Sequence, residues 1–283
     1  MKIKITDKEF LILKEYIETH CGIALRNTQK YLFESRLSKL VAEHRCNNFT
    51  EFSQLIHSGK VNGLQEKIVN AMTTNETLWF RDNHPWQAFS EHILPTWASQ
   101  ITESNMSPRI WSAASSTGQE AYSISMLIHE YARLQRHPSL LQNIEIVGTD
   151  ISTSALYVAI SGNYDEISMT RGFIPPWDQL KTRYFTHRGR VWEINPECKK
   201  LTRFRHFNLQ ETFRSLGKFD MICLRNVIIY FADDFKRELF RKMESSLNPG
   251  GYLLLGASET PIRYTDNFKS IKLGISTYYQ LKG

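Results

Sequence analysis

Two acidic residues, Glu120 and Asp150, stand where a cofactor built on a nucleoside could meet them. The stretch RIWSAASSTGQEAY, residues 109 to 122, combines a buried strand, a turn of small residues and the start of an amphipathic helix that carries Glu120. Further along, the predicted strand IEIVGTD ends in Asp150, where doubly wound folds often place a carboxylate that accepts hydrogen bonds from a ribose. The pattern therefore indicates a cofactor site at the ends of two neighbouring strands.

The turn between the first strand and its helix limits which cofactor can bind there. The small residues from 115 to 118 keep the backbone accessible, and the helix that follows presents free N–H groups. However, the three spaced glycines of the dinucleotide fingerprint are missing, and Glu120 in the first helical turn would repel a phosphate. A carboxylate suits a cation. The two acids therefore match S-adenosylmethionine, with Glu120 at its ammonium group and Asp150 at its ribose.

Each acid also has a purely structural explanation. An acidic residue such as Glu120 stabilises a helix when it lies in the first turn, by roughly 0.3 to 1 kcal/mol. Asp150 could cap the helix that is predicted to begin near Ser152. The residue types alone leave both alternatives open.

The elements that position these acids alternate between strands and helices, as in an α/β fold with a mainly parallel sheet. The predicted core elements are a strand at 109–114, a helix at 119–134, a strand at 144–149, a helix at 152–160 and a strand at 219–224. A further helix, marked by Phe235, Leu239 and Met243, ends at a turn at 248–251 that leads into the strand YLLLGAS. The final STYYQL segment is predicted to add an antiparallel edge strand.

Residues 181 to about 207 interrupt this alternation. RYFTHRGRVWEI holds two β-type runs around Arg188 and Gly189, which is a hairpin signal, and the strand-like LTRFRHFNL follows it. We expect a small antiparallel β insertion there, within an α/β domain that covers residues 97–283.

The first quarter of the chain is typical of a separate all-α domain, residues 1–72. Thr6 and Glu9 form a predicted capping box in front of the first helix, and a second helix carries its own apolar stripe. Arg36 and Lys39 lie on the polar flank of that second helix. They could form a docking surface or remain ordinary solvated charges.

Residues 73–96 link the two domains with a high density of hydrogen-bonding and aromatic side chains. Asn75, Thr77 and Arg81 lie close together beside Trp79 in the sequence NETLWFR. Helix capping and core packing would explain these residues, and so would a contribution to the cofactor site.

Composition places the chain among globular proteins. Its 283 residues, 41% of them hydrophobic, suffice for one large α/β core and a smaller appended domain. No segment approaches the roughly 20 apolar residues of a membrane span, and the first residues lack the apolar run of a secretory signal. We therefore expect a cytoplasmic protein without membrane insertion. The four cysteines are scattered, which favours neither a metal site nor disulfides, and the net charge of +6 would attract an acidic partner of some kind.

In combination, six motifs resemble those of the chemotaxis receptor glutamate methyltransferases, the CheR family. They are NETLWFR, WSAASSTGQEAYS, GTDIS, FNL, CLRNVIIYF and NPGGYLLLGASE, and they span nearly the whole chain in the family's order. Departures from the family pattern include Gln119 in place of an acid, Ala121 in place of proline and Ala257 in place of a histidine. The resemblance implies a Rossmann-like sheet that binds S-adenosylmethionine, an N-terminal all-α domain and a small antiparallel β insertion.

The resemblance also implies roles for individual residues. Arg81 would lie near the methionine carboxylate and the substrate, and Tyr230 would orient the substrate glutamate, so these two are the candidate catalytic residues. Arg36 and Lys39 would contact the methylation helices of a receptor. The residues implied to bind the cofactor are Asn75, Thr77, Arg81, Glu120, Asp150, Asn208, Leu209, Arg225 and Asn226, and no metal ligand is implied.

The implied reaction is attack of a glutamate carboxylate on the sulfonium methyl, which gives a glutamyl methyl ester and S-adenosylhomocysteine. Because a carboxylate is ionised near neutral pH, positioning rather than a general base would drive catalysis. In some family members the β insertion docks a C-terminal peptide of the receptor by strand addition. The hairpin from Thr186 to Arg190 is short for that purpose, so we expect a monomeric enzyme that needs no tail peptide.

Two other functions fit parts of the sequence. A nucleic-acid methyltransferase would suit the basic charge, but enzymes that methylate base amino groups usually show Asn or Asp followed by Pro-Pro and an aromatic residue. In this chain the end of the predicted strand at 219–224 has the sequence LRNV, residues 224–227, instead. We therefore expect no nucleic-acid partner. A non-catalytic domain that senses S-adenosylmethionine, or only binds the receptor, would need no turnover, and an assay separates it from an enzyme.

Overall fold

The computed structural model describes residues 3–282 and begins with a small helical domain. Its helices are α1 (Asp7–Cys21), α2 (Lys30–Glu43), α3 (Phe49–His57) and α4 (Leu64–Met72), with a 3-10 turn at Asn27–Gln29. The predicted capping box is confirmed. The Thr6 hydroxyl accepts from the Glu9 N–H at 3.3 Å, and the Glu9 carboxylate accepts from the Thr6 N–H at 2.8 Å. Because both donors are satisfied, α1 begins where the sequence predicts.

Aromatic and aliphatic side chains form the core of this domain. Phe10, Phe33 and Phe49 are at most 1% exposed, and the apolar stripe predicted on α2 is buried. Glu9 also accepts hydrogen bonds from the N–H and the hydroxyl of Thr50, at 2.7 and 2.8 Å. One carboxylate thereby caps α1 and joins it to the first turn of α3.

The chain after α4 turns sharply before it becomes helical again. Phe80, Asp82 and Asn83 have φ angles of 46°, 68° and 55°, a conformation that is uncommon for residues other than glycine. Helices α5 (His84–Ala88) and α6 (Leu94–Ser104), joined by a π-helical turn at Phe89–Ile93, then lead into the sheet. Such strain persists only where surrounding contacts fix the backbone.

Seven strands form one mixed sheet, and three short strands form a second. Within residues 3–282 the strands are β1 (Arg109–Ala113), β2 (Glu145–Asp150), β3 (Asn163–Tyr164), β4 (Phe185–Arg188), β5 (Val191–Ile194), β6 (Thr202–His206), β7 (Phe219–Leu224), β8 (Leu247–Leu255), β9 (Phe268–Leu273) and β10 (Ser276–Leu281). The large sheet has the order β6-β2-β1-β7-β8-β10-β9. Its strands from β6 to β8 are parallel, whereas β10 and β9 are antiparallel additions.

Helices cover both faces of the large sheet. The helices that follow β1 are α7 (Gln119–Leu134), α8 (Leu140–Asn143), α9 (Thr153–Ser161), α10 (Glu166–Met169), α11 (Asp178–Tyr184), α12 (Pro196–Lys200) and α13 (Asp233–Ser246), with 3-10 turns at Phe213–Leu216 and Ile228–Tyr230. Adjacent residues of β1, Ile110 and Trp111, point to opposite faces and are both 0% exposed, because each face has its own core. The predicted Rossmann-like α/β fold is confirmed. No helix in the described range is long and apolar enough to cross a bilayer.

The prediction for the β insertion is right about its hairpin and wrong about its third strand. Strands β4 and β5 pair antiparallel around Arg188, as predicted. The segment LTRFRHFNL was expected to complete the insertion, but its strand β6 pairs parallel with β2 at the edge of the large sheet. The short helix α12 returns the chain to the amino end of the large sheet, so β6 runs parallel to β2. The third strand of the insertion is β3, so that its order is β3-β5-β4.

The prediction that the last strand lies at the edge of the sheet is also wrong. β10 is antiparallel, as expected, but it lies between β8 and β9. The edge strand is β9, with the sequence FKSIKL, for which the sequence analysis made no prediction. It pairs with β10 through a tight turn at Gly274, whose φ is 59°. The exposed lysines are typical of an edge strand, because they oppose pairing with another chain.

Candidate cofactor and substrate site

A cavity of about 400 Å³ lies between the carboxyl ends of the central strands and the helical domain. Ligands of open α/β sheets bind at this end of the strands. The residues of the sequence analysis that line it are Arg36, Asn75, Thr77, Arg81, Glu120, Asp150, Asn208, Leu209, Arg225, Asn226 and Tyr230. Lys39 does not line it. Motifs that are far apart in the chain thus meet at one site.

The turn after β1 places backbone N–H groups at the cavity. Ala114 and Ser116 have φ angles of 53° and 52°, strain that is characteristic of functional turns. Gly118 follows at 91°, and a Cβ added there would lie 2.9 Å from the Cβ of Ala159. Only glycine therefore fits between this turn and α9. The Ser116 N–H donates to the Asp150 carboxylate at 2.8 Å, which ties the turn to β2.

Asp150 is a buried carboxylate with fixed hydrogen-bond partners. Besides the Ser116 N–H, it accepts from the Ser152 N–H at 2.8 Å. Burial raises the pKa of the Asp150 carboxyl above its ordinary value, although these N–H groups oppose the shift. Asp150 is not the N-cap of α9. The Ser152 side chain caps that helix, because it accepts from the Ala155 N–H. Asp150 thus fixes the β1 turn and reaches the cavity wall.

Glu120 lies in the first turn of α7 and lines the cavity. Its carboxylate accepts from the Ser112 hydroxyl at 2.8 Å and from Arg225 at 3.3 Å. Its side chain is only 13% exposed. A carboxylate in this setting is a binding site for a cationic group rather than for a phosphate.

Arg225, directly after β7, joins three parts of the site. Its guanidinium donates to Glu120, to the Asp82 carboxylate at 2.6 Å and to the Arg81 carbonyl at 2.8 Å. The guanidinium carbon also lies 5.0 Å from the centre of the Trp86 ring, which adds a cation–π contact. Because its side chain is 2% exposed, this cation is held almost without solvent.

A buried glutamate that the sequence analysis did not single out organises the loop after β7. The Glu259 carboxylate accepts from the N–H groups of Asn226, Val227 and Gly256, at 2.7, 2.9 and 2.8 Å. Asn226 has a φ of 59°, so these bonds hold it in a strained conformation. Glu259 lies in the GASE part of a family-like motif, which was the available signal. It determines where Asn226 and the following loop meet the cavity.

The linker residues reach the cavity in different ways. Asn75 is fixed by the turns that follow β1 and β2, because its amide donates to the Ser152 hydroxyl at 3.1 Å and its backbone carbonyl accepts from the Ser116 hydroxyl at 2.7 Å. Arg81 has a fixed backbone, but its guanidinium makes one long hydrogen bond, 3.4 Å to the Glu76 carbonyl. The Arg81 charge is therefore available to a ligand.

The helical domain forms one wall of the cavity, which the sequence analysis did not foresee. Arg36 turns away from the solvent-exposed flank and donates to the Met72 carbonyl at 2.6 Å. Asn208 donates to the His20 carbonyl at 2.8 Å, and the Ala24 N–H donates to the Tyr230 carbonyl at 2.8 Å. The chain around residues 21–26 is thus attached to the loop that carries Tyr230.

Three unpartnered polar atoms indicate that a polar ligand belongs in the cavity. Among the described residues that line it, the Asn226 side-chain carbonyl, the Ser115 hydroxyl and the Arg225 Nε are buried without a hydrogen-bond partner. A buried acceptor costs about 1–3 kcal/mol when it is unsatisfied, so a bound donor would recover that energy. The two carboxylates, the free acceptor and the volume fit S-adenosylmethionine, which has an ammonium group and ribose hydroxyls.

Comparison with known families agrees with this geometry. Residues 75–276 match the family model described as CheR methyltransferase, SAM binding domain, and residues 8–73 match the CheR methyltransferase, all-alpha domain. The protein is therefore a methyltransferase that uses S-adenosylmethionine. The chain belongs to the CheR family and acts in chemotaxis.

Several relatives match over nearly their full length. The chemotaxis protein methyltransferase of Vibrio anguillarum is 41% identical over 281 residues, 99% of each chain. Chemotaxis protein methyltransferase 1 of Pseudomonas aeruginosa is 39% identical over 97% of this chain and 98% of its own. The plantazolicin methyltransferase BpumL, solved in complex with SAH, is 13% identical over 62% of this chain and 49% of its own, with a TM-score of 0.32. That last likeness is too weak to bear on function.

Proposed function

We propose that this protein methylates glutamate side chains of chemoreceptors. The observation that supports it is the set of ionisable groups on the cavity wall. Arg26, Arg36, Arg81 and Arg225 line the cavity, and its described lining contains no histidine and no lysine. The carboxylates in the lining, Glu76, Glu120 and Asp150, already accept hydrogen bonds from protein donors. An amine or a hydroxyl nucleophile needs a base to remove its proton. A carboxylate is already ionised near neutral pH and is attracted to arginine.

The chemistry asks little of the protein beyond alignment. S-Adenosylmethionine supplies a methyl group activated by the positive sulfur. One oxygen of the glutamate carboxylate forms a bond to the methyl carbon, the carbon–sulfur bond breaks, and its electron pair stays on sulfur. No proton has to move. The protein must hold the reacting atoms about 3 Å apart and exclude water, which is a positioning mechanism.

The cavity residues take the following roles in this proposal. Glu120 binds the ammonium group, and Asp150 accepts from the ribose hydroxyls. Arg81 contributes its uncommitted guanidinium to the carboxylates of cofactor and substrate, and Tyr230 orients the substrate glutamate. The remaining wall consists of Asn75 and Thr77 on the linker side, Asn208 and Leu209 at the adenine, and Arg225 with Asn226 beside the methyl group.

Arg81→Ala should lower kcat/KM by about tenfold or more and weaken cofactor binding, because it removes a charge-assisted hydrogen bond to a carboxylate. Its stability should hardly change, since the guanidinium has only the 3.4 Å bond to Glu76. Initial rates and calorimetric titration measure both effects. Arg81→Lys keeps the charge without the planar fork and should recover part of the rate. Unchanged rates in the alanine variant would remove Arg81 from the site.

Lys39 is our proposed receptor contact on the outside of α2. Its side chain is 86% exposed, and its one ion pair, to Glu43, is 3.8 Å long. Lys39→Glu should raise the KM for receptor several-fold, because a like charge now faces acidic methylation helices. Cofactor affinity should not change. Lys269→Glu, also an exposed lysine but on β9, is the matched control. Equal effects of both variants would assign the loss to net charge alone.

The direct test is transfer of labelled methyl groups. The purified protein is incubated with methyl-labelled S-adenosylmethionine and membranes that hold a chemoreceptor from the same source. Label on the receptor that mild alkali releases as methanol is the expected result, because carboxyl esters are base-labile. Cofactor binding without transfer would favour a sensing domain. Label on nucleic acid would overturn the proposal.

The same assay tests whether a receptor tail is needed. Strand β4 is an edge of the small sheet, but it has four residues and is joined to β5 by a short turn. We propose a tail-independent enzyme on this ground. A receptor without its C-terminal peptide should therefore be methylated at the rate of the full receptor, and a loss of methylation would contradict this.

A further inference from the structure

Arg225 lies between two carboxylates, of which one lines the cavity. It donates to Glu120 at 3.3 Å on the cavity side and to Asp82 at 2.6 Å on the other. Asp82 does not line the cavity, and its side chain is 37% exposed. Asp82 therefore does not contact a ligand in the cavity, and Arg225 is the residue that joins it to Glu120.

The charges of this cluster do not balance. Arginine is always protonated in proteins, so one guanidinium faces two carboxylates and leaves one negative charge in excess. Arg225 is 2% exposed and Glu120 is 13% exposed, so water screens the excess only weakly. Because Asp82 shares the guanidinium, Glu120 keeps negative charge that a ligand in the cavity experiences.

We propose that Asp82 is a positioning residue that strengthens the binding of cationic S-adenosylmethionine relative to that of its neutral product. S-Adenosylmethionine carries a sulfonium charge, whereas S-adenosylhomocysteine has a neutral sulfur. The ammonium group is common to both. Without the charge of Asp82, Arg225 would neutralise Glu120 alone, and the cluster would no longer favour the extra cation. This inference rests on the proposed placement of the cofactor in this cavity.

The backbone supports a dedicated role for Asp82. Asp82 has a φ of 68°, and Phe80 and Asn83 beside it are also positive. The Arg81 carbonyl accepts from both Arg225, at 2.8 Å, and the Trp86 ring N–H, at 2.9 Å. Strain of this kind is retained where function requires the geometry. Arg225 thus fixes the turn that presents Arg81 and is itself charge-compensated by that turn.

The test compares binding of the two ligands in the absence of receptor. The whole protein and its Asp82→Asn variant are titrated calorimetrically with S-adenosylmethionine and with S-adenosylhomocysteine. The variant should bind S-adenosylmethionine about tenfold more weakly and S-adenosylhomocysteine no more than about threefold more weakly. The ratio of the two dissociation constants is the decisive quantity, because a general distortion of the cavity would weaken both ligands alike. Equal weakening, or none, overturns the proposal.

Two further variants separate charge from folding. Glu145→Gln removes an ion pair with Arg109 of 2.8 Å at the opposite end of β1 and β2, and it should leave both affinities unchanged. Asp82→Glu keeps the charge and should keep the ratio within about twofold of wild type. If Asp82→Asn does not fold, Asp82→Glu decides, and a shifted ratio contradicts the proposal. Discrimination between ligands without methyl transfer would refute the proposed function and leave this inference standing.

Discussion

Glu120→Gln should weaken the binding of S-adenosylmethionine by about 100-fold, which corresponds to ~3 kcal/mol. The substitution removes the carboxylate charge that would face the ammonium group. It also leaves Arg225, which is 2% exposed, with Asp82 as its remaining carboxylate, and a buried cation that loses a partner is strongly unfavourable. Calorimetric titration with S-adenosylmethionine measures the change.

The matched control for Glu120 lies on the same helix. Glu130 of α7 is also 13% exposed and pairs with Arg133 and Arg183, but it does not line the cavity. Glu130→Gln should lower the free energy of unfolding without changing cofactor affinity. Full affinity in Glu120→Gln, or an equal loss in both variants, would show that Glu120 is no ligand.

Glu259→Gln is expected to have the largest effect on stability, a loss of about 3 kcal/mol in the free energy of unfolding. The carboxylate accepts from three buried N–H groups, and the amide of glutamine would turn a donor toward one of them. The strained Asn226 would then lose its support. We also expect kcat to fall, because the loop from residue 225 to 231 carries Tyr230. Urea denaturation and initial rates measure the two effects.

Asp234→Asn is the control for this prediction. Its carboxylate is fully exposed and pairs only with Arg237 of the next helical turn. Exposed pairs contribute less than about 1 kcal/mol, so both stability and rate should stay near wild type. A stable and fully active Glu259→Gln protein would falsify the role given to Glu259.

The parts of the fold that follow local periodicity were predictable from the sequence. The capping box at Thr6, the stripe on α2 and the strands at 109–113 and 219–224 follow from residue type and spacing. Strand partners were not predictable in the same way. β6 resembles the hairpin that precedes it, and β9 has the polar residues of a loop, so only their neighbours in the sheet reveal their positions.

The cavity residues likewise include some that the sequence predicted and some that it did not. Motifs identified residues that the structure places together, including Glu120, Asp150 and Arg225. The motifs did not reveal Asp82 or Glu259. Asp82 pairs with a residue 143 positions away, and Glu259 accepts from a loop that is distant in the sequence. Local spacing cannot indicate either contact. Arg36 was read as part of an outer flank, whereas its guanidinium reaches the end of α4.

The contacts between the helical domain and the sheet domain limit how chains of this family can recombine. Gln210 donates to the Glu18 carbonyl at 3.2 Å, and a Cβ added at Gly22 would lie 2.9 Å from the Phe235 ring. Ala24 holds the carbonyl of Tyr230. A chimera spliced from two relatives at residue 73 would inherit one half of each of these contacts from each parent. Recombination between relatives can therefore exchange the helical domain only if both sides of these contacts change together.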